Sequence, residues 1–204
     1  MARDEDRLLR AQEAPIVGSL PEAPGIAAAM SLTPGLARHL RGLADELLVH
    51  DFPGATINRA EREMLATTVS AANDCFFCMD SHGAHAYALL ERLGLEDQAP
   101  IIDELKIGSV DGLGPKMRAL VTIARVVRGD ARELREDDIA AALAAGATDA
   151  DVQLAVLIAA GFSMYNRMVD GFRARTAPSV EAYRGRAKEI AEQGYSLPAP
   201  ATPG

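Results

Sequence analysis

Within this 204-residue chain, the stretch Cys75-Phe76-Phe77-Cys78-Met79-Asp80-Ser81-His82 is the one best suited to chemistry, and it holds both of the chain's cysteines. In a helix, residues three apart have Cα atoms ~5–6 Å apart, inside the ~4.4–6.8 Å window of a disulfide. Such a pair opens and closes without unfolding anything. With Asn73 or Asp74 as N-cap, both thiols fall in the first turns, where the helix end favours thiolate over thiol. That argument alone makes Cys75 the more exposed and more acidic thiol. Cys78 and His82 form an i, i+4 pair, so the imidazole can take the thiol proton or return one to a leaving group. Two rival readings are an inert core pair and a zinc site. Cys75, Cys78, His82 and His85 resemble four metal ligands, but on one continuous helix Cys75 and His85 stand ~15 Å apart by rise alone. Bonds of ~2.0–2.3 Å cannot close that tetrahedron without a broken helix or ligands from elsewhere. No metal or cofactor is expected.

The elements around this stretch must position it. Asn58 is a good N-cap with Glu61 three residues on, a capping-box pattern, and helix is expected from Arg59 to about Ala72. A second helix runs from near Cys75 to Leu93, stopped by Gly94. If Asn73-Asp74 folds the two into an antiparallel pair, Glu63 faces His82 and His85 and is available to orient His82 in a Cys–His–Glu relay. Its alternative is a solvated helix face. Packing or support suits His85 as well as catalysis does. Phe76 and Phe77 read as apolar cover over the thiols. Further helices are expected at about Ile26–Met30, over Leu36–Leu48, at Pro100–Leu105, around Met117–Val127, from Glu136 toward Gly146, over Asp151–Met168 behind a Thr148/Asp151 cap, and at about Ser179–Gln193. The 151–168 helix is apolar on nearly every side and belongs inside the body or in a subunit interface.

Composition agrees with helices. Alanine, the best helix former, occurs 38 times, aromatics are 4% and Trp is absent. The expected fold is all-α, with a Pro-rich arm at 1–34, a domain over 35–194 and a disordered tail at 195–204. The net charge of −8 argues against a nucleic-acid partner and against docking on an anionic membrane. No secretory signal or membrane-spanning run is evident, so the default compartment is the cytoplasm. Two cysteines exclude a structural disulfide framework.

Glu63, eleven residues, Cys75-x-x-Cys78, then His82 resembles the active-site signature of the AhpD-like (alkylhydroperoxidase D) branch of the carboxymuconolactone decarboxylase superfamily. Glu61–Ala66 and Ser70–Asn73 match that family's wording, and Tyr165-Asn166-Arg167-Met168-Val169-Asp170-Gly171 resembles its peroxidase-related subgroup. The resemblance covers roughly residues 35–175. It implies an AhpD-like helical bundle, assembled as a homo-oligomer (dimer, trimer or hexamer). The implied activity is antioxidant thiol peroxidase or disulfide reductase chemistry, of peroxiredoxin type. By the same resemblance Cys78 attacks the peroxide, Cys75 resolves it, and Glu63 and His82 relay the proton. Phe77, His85, Asn166 and Arg167 are supporting positions. The implied partners are a hydroperoxide and an external dithiol, lipoyl or thioredoxin-like. Phe77 stands where the best-known members carry a histidine, so one relay member is missing. Two alternatives stand beside this: a decarboxylase-type lyase of the same superfamily, which needs no dithiol, and a non-enzymatic redox-sensing oligomer.

Overall fold

The computed structural model describes residues 25–177 and 179–196, together with residues 9, 14–16, 18, 20, 21 and 23 of the arm. Among the described residues there is helix and no strand. The helices are α1 (Ile26–Ser31), α2 (Pro34–Leu48), α3 (Arg59–Ala72), α4 (Phe76–Leu93), α5 (Pro100–Lys106), α6 (Pro115–Asp130), α7 (Glu136–Ala144), α8 (Asp149–Gly171) and α9 (Arg184–Gln193). Short 3-10 turns at Glu96–Gln98, Ala131–Glu133 and Val180–Tyr183 join some of them. The fold is all-α, as the alanine-rich, aromatic-poor composition implies.

Local chemistry sets several boundaries. Asn58 accepts from the Glu61 amide at 3.0 Å while Glu61 accepts from the Asn58 amide at 2.8 Å, closing the capping box of α3. Thr148 and Asp151 repeat the device at α8. Gly94 ends α4 at φ 69°, a left-handed position that glycine adopts without strain. The start of α4 differs from the expected one. Asp74 takes φ 53°, and the N-cap is Cys75, not Asn73 or Asp74. The chain needs that left-handed residue to reverse between two tightly packed helices.

α3 and α4 form the central hairpin, and α8 runs beside them through the core. Leu65, Ala66 and Val69 of α3 meet Leu90, Leu120, Ile123, Leu154, Ile158 and Phe162 in one apolar cluster. These side chains are at most 2% exposed. Burying each of those larger than alanine contributes roughly 1.5–3 kcal/mol relative to exposure. α8 is long and apolar enough, by length and composition, to cross a membrane, and half of that stretch is buried within the body. Leu157 and Met164 are exposed on it.

Asp151 ties the entry of α3 to α8. It accepts from the Thr56 amide and hydroxyl, both at 2.6 Å, and from the Ile57 and Thr148 amides, both at 3.0 Å. Burial would raise its pKa, but these donors outweigh it and hold the carboxyl at about 2.

The last described residues are not a free end. Gly194 ends α9 at φ 81°, and Tyr195 and Ser196 donate their amides to Asp45 of α2 at 2.6 and 2.9 Å. Arg59 reaches over from α3 to the carbonyls of Ile190 and Ala191. Residues 195 and 196, expected within a disordered tail, are therefore tied to the body; 197–204 lie outside the described residues, as do residues 1–8, 10–13, 17, 19, 22 and 24 of the arm.

Candidate active site

Glu63 sits on the buried side of α3 and is 1% exposed. The α3–α4 hairpin sets it against His82, with 2.7 Å between Glu63 Oε2 and His82 Nδ1. A solvated Glu63 is thus replaced by a buried carboxylate with a fixed partner. Burial acts to raise its pKa, but the neighbouring His82 and the hydrogen bonds from His82 and His85 outweigh that and hold it at about 2. An ionised carboxylate only accepts, so His82 Nδ1 carries the shared proton. In the neutral ring this leaves the Nε2 lone pair to act as a base.

Tyr195 joins this pair from the other end of the chain. Its hydroxyl donates to Glu63 Oε1 at 2.6 Å, with His85 Nδ1 2.9 Å away and His82 Nδ1 3.2 Å away. Burial, together with the charge of Glu63, pushes the phenol well above its ordinary pKa, so it remains a donor. Burial keeps His85 below the ordinary histidine value. The four side chains form one closed network in which each acidic oxygen of Glu63 has a donor. Phe162 packs edge-on against His82, ring centres 4.5 Å apart.

Cys75 and Cys78 are both free and buried, at 0% and 2% exposure. Both belong to one buried cluster with Leu20, Ala28, Val169 and Ala174. Cys75 is the N-cap residue, and its thiol lies 3.9 Å from the Asn166 carbonyl. A hydrogen bond with Cys78, then burial, pushes the Cys75 thiol far above the usual thiol range. This corrects the helix-start argument: Cys75 is not the exposed thiol, since it is the buried N-cap residue of α4. Cys78 lines a cavity of about 440 Å³ together with Ser81, His82, His85 and Tyr195.

Of the supporting positions, Phe77 also lines that cavity, edge-on to Tyr183 at 5.6 Å and directly beneath Gly25 of the arm. Asn166 is buried on α8 and works on the hairpin turn: its side chain accepts from Asn73 at 2.9 Å and donates to Ser70 at 3.0 Å. Arg128 holds the same turn through Asn73 Oδ1 and the Ala72 carbonyl. Arg167 is not brought to the cavity; it is exposed and bonds the Ser163 carbonyl of its own helix.

Ligand-type atoms of Glu63, His82 and His85 lie within 4.8 Å of one another, and among the described residues this is the set that offers a metal ion a place. The cysteines are not in it, so the four-ligand zinc set does not assemble. In the structure the two Nδ1 atoms and the carboxylate are engaged with each other and with Tyr195, which suits proton sharing.

The carboxymuconolactone decarboxylase family model matches residues 34–98, the segment that carries Glu63, both cysteines, His82 and His85. Over nearly its whole length the chain is similar to the alkylhydroperoxidase AhpD core structure of an uncharacterized peroxidase-related protein from Ralstonia eutropha JMP134. The identity is 25%, the coverage 92% of this chain and 90% of that one, and the TM-score 0.66. The fold is AhpD-like. An uncharacterized peroxidase-related protein from Silicibacter sp. TM1040 shares the AhpD-like fold at 20% identity, with 85% of this chain and 96% of that one covered and a TM-score of 0.66. No curated protein matches this AhpD-like chain.

Sequence reasoning missed three parts of this site. Tyr195 is separated from its partners by 110 to 132 positions, and no spacing rule links them. Its one signal was an aromatic placed directly after the helix-stopping Gly194. Ser81 lies inside the motif, but only the cavity shows its exposure to a ligand. Arg41 and Arg186, at the same cavity, read as ordinary surface charges.

Proposed function

We propose that this AhpD-like protein is a thiol-dependent hydroperoxide reductase working through the Cys75/Cys78 dithiol. The observation that carries the reading is the 2.7 Å contact between buried Glu63 and His82, on the helix face that also presents Cys78 to the cavity. His82 Nε2 takes the Cys78 proton. The thiolate attacks the terminal peroxide oxygen, an S–O bond forms, and the O–O bond breaks. The departing alkoxide recovers the proton from His82 and leaves as an alcohol, while sulfur is oxidised by two electrons to sulfenic acid. The Cys75 thiol then condenses with it, water departs, and a disulfide forms. An external dithiol restores both thiols by exchange. The place of Cys78, and not Cys75, at the cavity supports Cys78 as the attacking sulfur. Thioredoxin-like or lipoyl dithiols in the cytoplasm are the proposed reductants, and the same dithiol offers a protein disulfide an alternative route as oxidant.

The test is peroxide consumption with a coupled dithiol reductant, in wild type and in Cys75→Ser, Cys78→Ser and the double variant. The single and double variants should lose turnover, while Cys75→Ser should still release one alcohol per chain in a single turnover. A double variant as active as wild type would reject the scheme. Turnover of a carboxylactone by that double variant would establish the lyase in its place.

A further inference from the structure

The cavity is much larger than the smallest peroxide requires. At about 440 Å³ it falls within the ~300–1,000 Å³ range of sites for organic ligands, whereas a water-sized molecule has a share of ~30 Å³. Ile26, Met30, Phe162 and Ile190 give it apolar walls. Its charged lining is of one sign. Arg41 from α2 and Arg186 from α9 line it, and among the described residues no Asp or Glu does, in a chain whose net charge is −8. Both guanidinium groups belong to exposed residues. Arg41 has no hydrogen-bond or ion-pair partner among the described residues. Arg186 has only an exposed pair with Glu189 at 2.9 Å, a contact that contributes little and exchanges readily.

We infer that the substrate is an organic hydroperoxide with an apolar body and a carboxylate, the body filling the cavity in front of Cys78 and the carboxylate held by Arg41 and Arg186. The inference rests on the peroxidase reading for its chemistry, and on the cavity alone for its recognition. Guanidinium groups suit a carboxylate because their planar fork donates two parallel hydrogen bonds. Two such groups from separate helices fix one end of a flexible molecule and leave the other to reach the thiol. A net-negative body repels free anions, so a pocket with only positive charge at its lining selects for an acid within an otherwise repulsive field.

A fatty-acid hydroperoxide and its methyl ester, equal in apolar body and different in charge, test this below their micelle concentrations. The acid should show a kcat/KM about 10-fold or more above the ester. Arg41→Gln and Arg186→Gln should bring the acid-to-ester ratio toward one, chiefly through KM. Equal rates for acid and ester in wild type would overturn the inference while leaving the peroxidase reading intact. Binding of the parent fatty acid and its ester, followed by calorimetry, needs no chemistry at all. Tighter binding of the acid, lost in the arginine variants, supports the site even if no hydroperoxide is turned over. Equal binding of acid and ester overturns it.

Discussion

The phenol of Tyr195 and the carboxylate of Glu63, 132 positions apart in the chain, share a 2.6 Å hydrogen bond in the protein interior. The segment just after α9 is thus part of the buried network that fixes His82. Removing the hydroxyl leaves Glu63 Oε1 buried with a lost charge-assisted bond, which costs about 1.5–3 kcal/mol. Tyr195→Phe should therefore lower the unfolding free energy by about that amount, read from denaturant midpoints at unchanged slope. It should also reduce peroxide turnover by roughly 10-fold, since His82 loses an anchored partner. A variant with wild-type stability and rate would show that the network works without the phenol.

Glu63→Gln and His82→Gln remove the base or its orientation, and each should lower the single-turnover rate by roughly 10²–10⁴-fold. Because Glu63 is held at about 2, it stays ionised throughout the working range. The acid limb of the wild-type rate against pH should therefore belong to another group and should persist in Glu63→Gln. A limb that disappears in this variant would assign the titration to Glu63 and contradict the low value.

The two thiols should react unequally with an alkylating agent. In Cys75→Ser the remaining Cys78 faces the cavity. In Cys78→Ser the remaining Cys75 is fully buried and does not line that cavity. At pH 8 the alkylation rate of the first variant should exceed that of the second by 10-fold or more. Faster labelling of Cys75 would reverse the proposed roles.

Asp151 should make the fold sensitive to acid. Its folded pKa of about 2 lies below its ordinary value of 3.8, so its contribution is fully present above about pH 4. That stability is lost as pH falls from about 4 through 2. Its size is about 1–2 kcal/mol after allowance for solvent screening. Asp151→Asn should be less stable than wild type at pH 7, and the gap should narrow in acid. A gap that widens below pH 4 would reverse the assigned sign.

Gly25 lies so close to Phe77 that an added Cβ would sit inside the ring's contact distance, and its φ of +55° suits glycine. Gly25→Ala should displace the Phe77 ring and the arm together. The expected readouts are a lower melting temperature and a changed KM for bulky hydroperoxides. The double variant Gly25→Ala, Phe77→Leu should recover part of both, because the smaller side chain makes room.

What the sequence made legible was local. Capping boxes, Gly94 and helical spacing involve neighbours within four positions, so Asn58–Glu61, Thr148–Asp151 and the α3–α4 hairpin could be read directly. The Glu63–His82 pairing was also accessible, because a single turn at Asn73-Asp74 sets its register. The left-handed Asp74 was not, nor was the buried N-cap at Cys75. Tyr195, Asp45 and the cavity arginines come together only through the packing of α2 and α9, which no periodicity encodes. The apparent alternative for Asp151, a simple helix cap, concealed its grip on Thr56 at a separation of 95 positions.

Cys78 lines the cavity, whereas Cys75 is wholly enclosed behind it. In the proposed cycle, oxidant and reductant come to the same sulfur through one doorway, each after the other has gone. Kinetics should be ping-pong, with parallel double-reciprocal lines, and a non-reacting mimic of either visitor should compete with both.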